Sequence, residues 1–155
     1  MTEPSASAKI EIAAPPERVY ELITDLANLG AWNAECERAG WVGPVKEARP
    51  GARFRGSNRN GSRRWSTRCT VTAADSGRTF AYHVRAGGVL DVAIWRFDLT
   101  PTEDGCLVEQ KTWDTRGALM RVVGGLATNV KDRVSHNTAN MEKTLGNLKQ
   151  AAERR

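Results

Sequence analysis

Two histidines and three cysteines are all the soft ligand chemistry that this 155-residue chain carries. Cys36, Cys69 and Cys106 stand far apart, with no Cys-x-x-Cys among them. A structural zinc site or a disulfide framework is therefore excluded, and reduced, packed thiols are expected, with no metal. No phosphate-cradling glycine loop and no nucleophile motif is present, so no cofactor is expected either. No apolar run approaches the length that would span a membrane. The opening stretch Met1-Thr-Glu-Pro-Ser-Ala-Ser-Ala lacks both the basic head and the apolar stretch of a secretory signal. A cytoplasmic protein is the expectation, with residues 1–8 loose. Internal repeats and low-complexity segments are absent.

What remains is an ordinary globular composition. Hydrophobic residues make up 40% and charged residues 26%, enough for one domain with a real core over residues 1–155 and too little chain for two. A formal charge of +5 raises the possibility of a nucleic-acid partner, which depends on where the charge lies.

The pattern alternates between the two regular periods. Lys9–Ala13 sets Ile10 and Ile12 against Lys9 and Glu11, a half-buried strand. Pro15-Pro16-Glu17 opens a helix with Val19, Leu22, Ile23 and Leu26 on one face, and Asn28-Leu-Gly30 ends it. A short stretch with Trp32, Glu35 and Cys36 leads to a strand at Gly40-Trp41-Val42. Asn60-Gly61 reads as the centre of a two-residue hairpin turn, with Asn58 facing Arg63, Gly56 facing Trp65 and Phe54 facing Thr67. In that register the other face collects Arg53, Arg55, Arg59, Arg64 and Arg68, so basic and apolar sides separate. Strands follow at Arg78–Ala86, Asp91–Thr100 and Cys106–Asp114. Their inward sets are Phe80, Tyr82 and Val84, then Ala93, Trp95, Phe97 and Leu99, then Val108, Gln110 and Thr112. From Leu119 an apolar line at helical period runs through Val122, Leu126, Val130, Val134, Asn137, Met141, Leu145 and Leu148 to Ala152. One long amphipathic helix is predicted, lying against a curved sheet with a gap between the layers.

Particular segments carry a resemblance. Thr24-Asp-Leu, Trp32-Asn-Ala-Glu-Cys36, Gly51-Ala-Arg-Phe-Arg-Gly-Ser-Asn-Arg59, Arg64-Trp-Ser-Thr67, Gly77-Arg-Thr-Phe80 and Trp95-Arg-Phe-Asp-Leu-Thr-Pro101 are its main blocks. Together with the element order they resemble the START and Bet v 1-like (SRPBCC) superfamily, in its polyketide cyclase/dehydrase and lipid-transport branch of actinobacterial type. The resemblance spans roughly residues 8–150. It implies an α+β helix-grip fold: a curved antiparallel sheet wrapped around a long C-terminal helix, with two short helices after the first strand. Binders, carriers and cyclases share that scaffold, so the activity must come from the site.

Phe54, Trp65, Tyr82, Trp95 and Phe97 are the expected cavity wall, with Thr67 beside them. Each alone could fill a plain core; together, against a helix offering mainly Val and Leu, they are hard to pack without space remaining. Val123, Val130, Asn137 and Met141 form the expected helix side. Asn137 needs a partner there, either a ligand or else Gln110, Thr112 or a trapped water. Asn58 and Arg63 are placed to hold a carboxylate or phenolate at the mouth. Gly117 and Gly124-Gly125 mark a segment expected to move for ligand entry. Tyr82 is the one candidate acid; His83 and His136 are expected at the surface. The reading is a carrier or binding protein for a lipid, fatty acyl or polyketide-like molecule, with an aromatase/cyclase or dehydratase as the alternative. The arginine face lacks interleaved aromatics, so a nucleic-acid or ribosome-contacting module is disfavoured; a weak anionic-membrane or acidic-protein contact would suit it better.

Overall fold

Apolar and polar residues alternating at a period of two build strands through most of the chain, and three irregularities in their pairing bend the resulting sheet. The computed structural model describes residues 2–87, 89–118, 121–122 and 132–154. Its elements are β1 (Ala6–Ile12), α1 (Pro16–Thr24), a 3-10 helix (Leu26–Ala31), β2 (Cys36–Val42), β3 (Arg53–Asn60), β4 (Arg63–Asp75), β5 (Thr79–Ala86), β6 (Leu90–Thr102), β7 (Gly105–Asp114) and, as α2, Arg133–Glu153. The strands form one seven-stranded antiparallel sheet in the order β1-β7-β6-β5-β4-β3-β2. The two short helices carry the chain from one edge of the sheet to the other. Register shifts at Cys36/Arg38, Val71/Ala73 and Val84/Arg85 add local twist and curl the sheet toward α2. This is the helix-grip α+β architecture expected from the sequence.

The inward faces follow the alternation. Phe80, Val84, Ala93, Phe97, Leu99, Val108, Gln110 and Thr112 are all buried. Strand β1 reaches back to Ala6, and Ser5 N donates to the Thr112 carbonyl, so the loose N-terminal stretch is shorter than residues 1–8. Trp113, on the outer side of β7, is covered there, its Nε1 donating to the Thr2 carbonyl at 2.9 Å.

The hairpin differs from expectation in a telling way. Asn60 pairs with Arg63, Asn58 with Trp65, Gly56 with Thr67 and Phe54 with Cys69, so the turn is centred on Gly61-Ser62. Gly61 adopts φ +60°, the left-handed region that the first position of such a turn demands and glycine supplies. The partner has moved by two residues, an even number, so every side chain keeps its face. Outside, Arg59 lies opposite Arg64 and Arg55 opposite Arg68. Glu37 answers the first pair, reaching Arg59 at 3.3 Å and Arg64 at 3.9 Å.

The terminal helix also departs from the single rod. Asp132 has extended backbone (φ −107°, ψ 92°) and its side chain accepts from Ser135 N, which makes it the cap where α2 begins. An aspartate satisfies a helix start better than a helix interior, so the apolar period running through it does not carry one helix across. Val122 and Val134 are exposed, and among the described residues of the expected line Asn137, Met141, Leu145, Leu148 and Ala152 are buried. Leu119, Leu126 and Val130 lie outside the described residues.

At its far end α2 is clamped. Arg18 donates from Nε to the Ala152 carbonyl at 2.7 Å and from Nη2 to Arg154 O at 2.9 Å, placing a cation on the negative end of the helix. Glu153 accepts from Ala13 N at 2.8 Å, and Lys149 donates to the Glu11 carbonyl. Leu145 and Leu148 are then fully buried, each contributing ~1.5–3 kcal/mol.

The 3-10 helix is held to β2 by an approach that only glycine permits. A Cβ on Gly30 would meet the Glu37 carbonyl oxygen at 1.9 Å. We expect Gly30→Ala to lower the unfolding free energy by ~1–3 kcal/mol, read by urea denaturation; an unchanged midpoint would contradict this packing.

Candidate ligand cavity

Between the curled sheet and the middle of α2 lies a cavity of about 450 Å³, within the usual range for small-molecule sites. Its walls follow directly from the alternation. Every second residue of β3 to β6 points inward, giving Phe54 and Asn58, Trp65 and Thr67, Tyr82 and Val84, then Ala93, Trp95 and Phe97. Gln110 comes from β7, and Leu26, Leu29 and Trp32 close the side of the short helices. From α2 come Asn137, Met141 and Thr144, spaced four and three apart and therefore on one helix face. The aromatic rings brace one another edge to face: Phe54 and Tyr82 at 5.1 Å, Trp41 and Phe54 at 5.7 Å, Trp32 and Phe97 at 6.4 Å.

Most expected site residues are thus brought together. Phe54, Asn58, Trp65, Thr67, Tyr82, Trp95, Phe97, Gln110, Asn137 and Met141 all line the space. Arg63 does not; the shifted turn places it beside Asn60, exposed at the hairpin tip. Thr112 is buried but points elsewhere, its hydroxyl donating to the Ile94 carbonyl at 3.0 Å. Val123, Val130 and Gly124-Gly125 lie outside the described residues. His83 lies on the outer face with its Nε2 3.2 Å from Asp91, but it is half-buried rather than the surface residue expected.

His136 is not a surface residue. Its Nε2 lies 2.8 Å from Glu35 Oε2, and the same carboxylate accepts from Asn140 Nδ2 at 2.8 Å and Arg133 Nη1 at 3.3 Å. Three residues one and two turns apart on α2 converge on one acid from the loop before β2. Arg133 also lies 6.0 Å above the Trp65 ring, a cation–π distance. At the β6–β7 side of the cavity Arg116 grips Asp114 through two bonds of 2.9 and 2.8 Å. Burial opposes ionisation of Asp114, but the Arg116 bonds outweigh it and hold the carboxyl below its ordinary 3.8. Glu35, Arg133, Asp114 and Arg116 are the charged side chains among the described lining residues, and each acid has its base.

The ionisable wall residues that remain are protonated. Burial lifts the Cys36 thiol to about 11 and the Cys69 thiol to about 12, so neither supplies a thiolate near neutral pH. Burial likewise pushes the Tyr82 phenol well above 10. Among the described residues the cavity therefore offers neutral donors, and its two acids are each paired with a base. Among the described residues no cluster of His, Cys, Asp or Glu gathers as a metal would require.

Asn58 spends one amide proton on Thr67 Oγ1 at 3.3 Å. Sequence reasoning missed Glu35, Trp32 and the Asp114–Arg116 pair as lining residues. The helical spacing of Arg133, His136 and Asn140 was visible, but nothing in it names an acid about a hundred positions away. Removing that acid strands three donors, so Glu35→Ala should lower the unfolding free energy by ~1–3 kcal/mol, with Glu35→Gln intermediate. Thermal and urea unfolding of the two variants would check the order.

Comparisons with known proteins place these features. The family model described as "Polyketide cyclase / dehydrase and lipid transport" matches residues 3–153. Among solved structures, protein CV1439 from Chromobacterium violaceum shares 17% identity, with 96% of each chain covered and a TM-score of 0.73. The di-domain ARO/CYC StfQ of the steffimycin biosynthetic pathway shares 17% identity at a TM-score of 0.72, covering 95% of this chain and 49% of that one. The Polyketide_cyc-like protein Cgl2372 from Corynebacterium glutamicum shares 25% identity over 99% of this chain and 92% of its own, with a TM-score of 0.58. Curated proteins give no match. With its family model matched from residue 3 to residue 153, the chain belongs to the polyketide cyclase/dehydrase and lipid-transport family.

Proposed function

We propose that this protein binds an apolar small molecule, a lipid, fatty acyl or polyketide-like compound, in the cavity between sheet and helix and carries it through the cytoplasm. The observation that supports this best is the cavity itself: about 450 Å³ with a predominantly apolar wall. Filling such a space with water would leave much apolar surface unburied, whereas an apolar occupant gains roughly 25 cal/mol per Å² removed from water. The family's description includes both cyclases and lipid transport, and each acid among the described lining residues is paired with a base, which favours binding over chemistry.

The second reading, a cyclase or dehydratase, rests on Tyr82. Its buried phenol stays protonated well above pH 10, so it could donate to a developing enolate while the wall holds a reactive chain folded. StfQ, an ARO/CYC by name, is similar over one half of its length.

Titration with the neutral fluorophore N-phenyl-1-naphthylamine tests the first reading. It should bind with enhanced emission, and Ala93→Phe, which fills the cavity from β6, should weaken it by about tenfold or more. Equal binding by the filled variant would place the dye elsewhere and count against the reading. Native mass spectrometry of protein from its host should retain an apolar ligand unchanged. Turnover of a supplied poly-β-ketone that collapses in Tyr82→Phe, with dye binding intact, would decide for catalysis.

A further inference from the structure

We propose that the cavity holds a subsite for a neutral hydroxyl group, formed by Trp32 and Gln110, both neighbours of Phe97, and that its preferred occupant is an uncharged, hydroxyl-bearing apolar molecule rather than a fatty carboxylate. This rests on the binding reading above and narrows its ligand class.

Trp32 and Gln110 are each only 3% exposed. Among the described residues, Trp32 Nε1 and Gln110 Oε1 are nevertheless without a hydrogen-bond partner. The great majority of buried polar atoms are partnered, because a lost bond to water must be replaced. Two orphans in one cavity need a common explanation. Gln110 lies directly opposite Phe97 in the β6–β7 ladder, and the Phe97 ring is 6.4 Å from the Trp32 indole. All three residues line the same space.

The two orphans are complementary. An indole N–H can only donate and an amide oxygen can only accept. A hydroxyl satisfies both at once, accepting from Trp32 and donating to Gln110. An ether or ketone can serve Trp32 alone, and a hydrocarbon serves neither. A carboxylate would accept from Trp32 but set its charge against the Gln110 oxygen. It would also find no counter-charge waiting. Arg116 is doubly bonded to Asp114, and Arg133 faces Glu35, which His136 and Asn140 hold as well. Recruiting either guanidinium means breaking an ion pair inside the cavity.

Four probes of one ring system test this by titration calorimetry at neutral pH: naphthalene, 2-methoxynaphthalene, 2-naphthol and 2-naphthoate. We expect 2-naphthol to bind about tenfold or more tightly than naphthalene, with the ether between them and the carboxylate no tighter than naphthalene. Gln110→Met keeps the bulk and removes the acceptor; it should cut the ratio of naphthol to naphthalene affinity to about threefold or less. In a proton–nitrogen correlation spectrum the Trp32 indole signal, assigned through Trp32→Phe, should move with naphthol and stay with naphthalene. If Trp32→Phe does not fold, the Gln110→Met comparison carries the test. Equal affinities for naphthol and naphthalene, or an advantage that survives Gln110→Met, overturn the subsite while leaving the cavity reading intact. Tighter binding of 2-naphthoate overturns the preference for a neutral ligand. If none of the four binds, the binding reading itself fails and takes the subsite with it.

Discussion

Everything about the cavity depends on α2 being held at its two ends. At the C-terminal end Arg18 and Glu153 tie it to α1 and the β1–α1 turn, and Leu145 and Leu148 sink into the core. At the N-terminal end Glu35 gathers Arg133, His136 and Asn140. A helix of 21 residues spans roughly 30 Å, so a rigid rod pinned at both ends need not touch what lies under its middle. The curled sheet bows away there, and the residues that α2 offers to the gap, Asn137, Met141 and Thr144, do not bridge it. Thr144 marks the near edge, its hydroxyl accepting from Ala34 N at 3.0 Å.

The same arrangement sorts the charges. Inside, the charged groups among the described lining residues are matched, Glu35 by Arg133 and Asp114 by Arg116. Outside, the arginines of β3 and β4 stand in like-charged opposition, which costs stability unless acids intervene. Glu37 intervenes at Arg59 and Arg64; beyond the Ser57–Ser66 pair on the same face, Arg55 and Arg68 face each other and Arg85 of β5 stands opposite Arg68. Arg85 in turn finds Asp91 at 3.3 Å. The arginine block of β3 and β4 therefore belongs to the outer face of the sheet, opposite the cavity wall.

Much of this was legible because strand and helix periods are local. The inward faces of β5, β6 and β7 could be read from alternation, including the choice of Val108, Gln110 and Thr112 on β7 over their charged neighbours. The hairpin was read correctly in its faces and incorrectly in its pairs, because a two-residue slip leaves the pattern of apolar and basic sides unchanged. Gly56 was matched to Trp65 on that account, when its partner is Thr67. The break at Asp132 was hidden for a related reason: Val122 and Val134 keep the helical period, and periodicity is blind to a cap that interrupts it. Glu35 was beyond reach, since its three partners lie about a hundred residues away and only the closed fold brings them together. His136 was misjudged as exposed because it stands one step from the apolar line, and that step turns it toward Glu35.

Separating support from lining has a consequence for how such a scaffold varies. The residues that hold the C-terminal end of α2, Arg18, Glu153, Leu145 and Leu148, lie away from the cavity wall, whereas at the N-terminal end Glu35, Arg133 and Asn140 are both clamp and wall. Exchanging Trp65, Tyr82, Trp95 or Asn137 changes the shape and polarity of the hollow without removing a clamp. Packing arguments usually make large inward residues costly to change, since each leaves or overfills a void. Here the void already exists, and a change of volume alters the ligand that fits before it alters the fold. That is a physical reason why chains with 17% identity can keep one architecture.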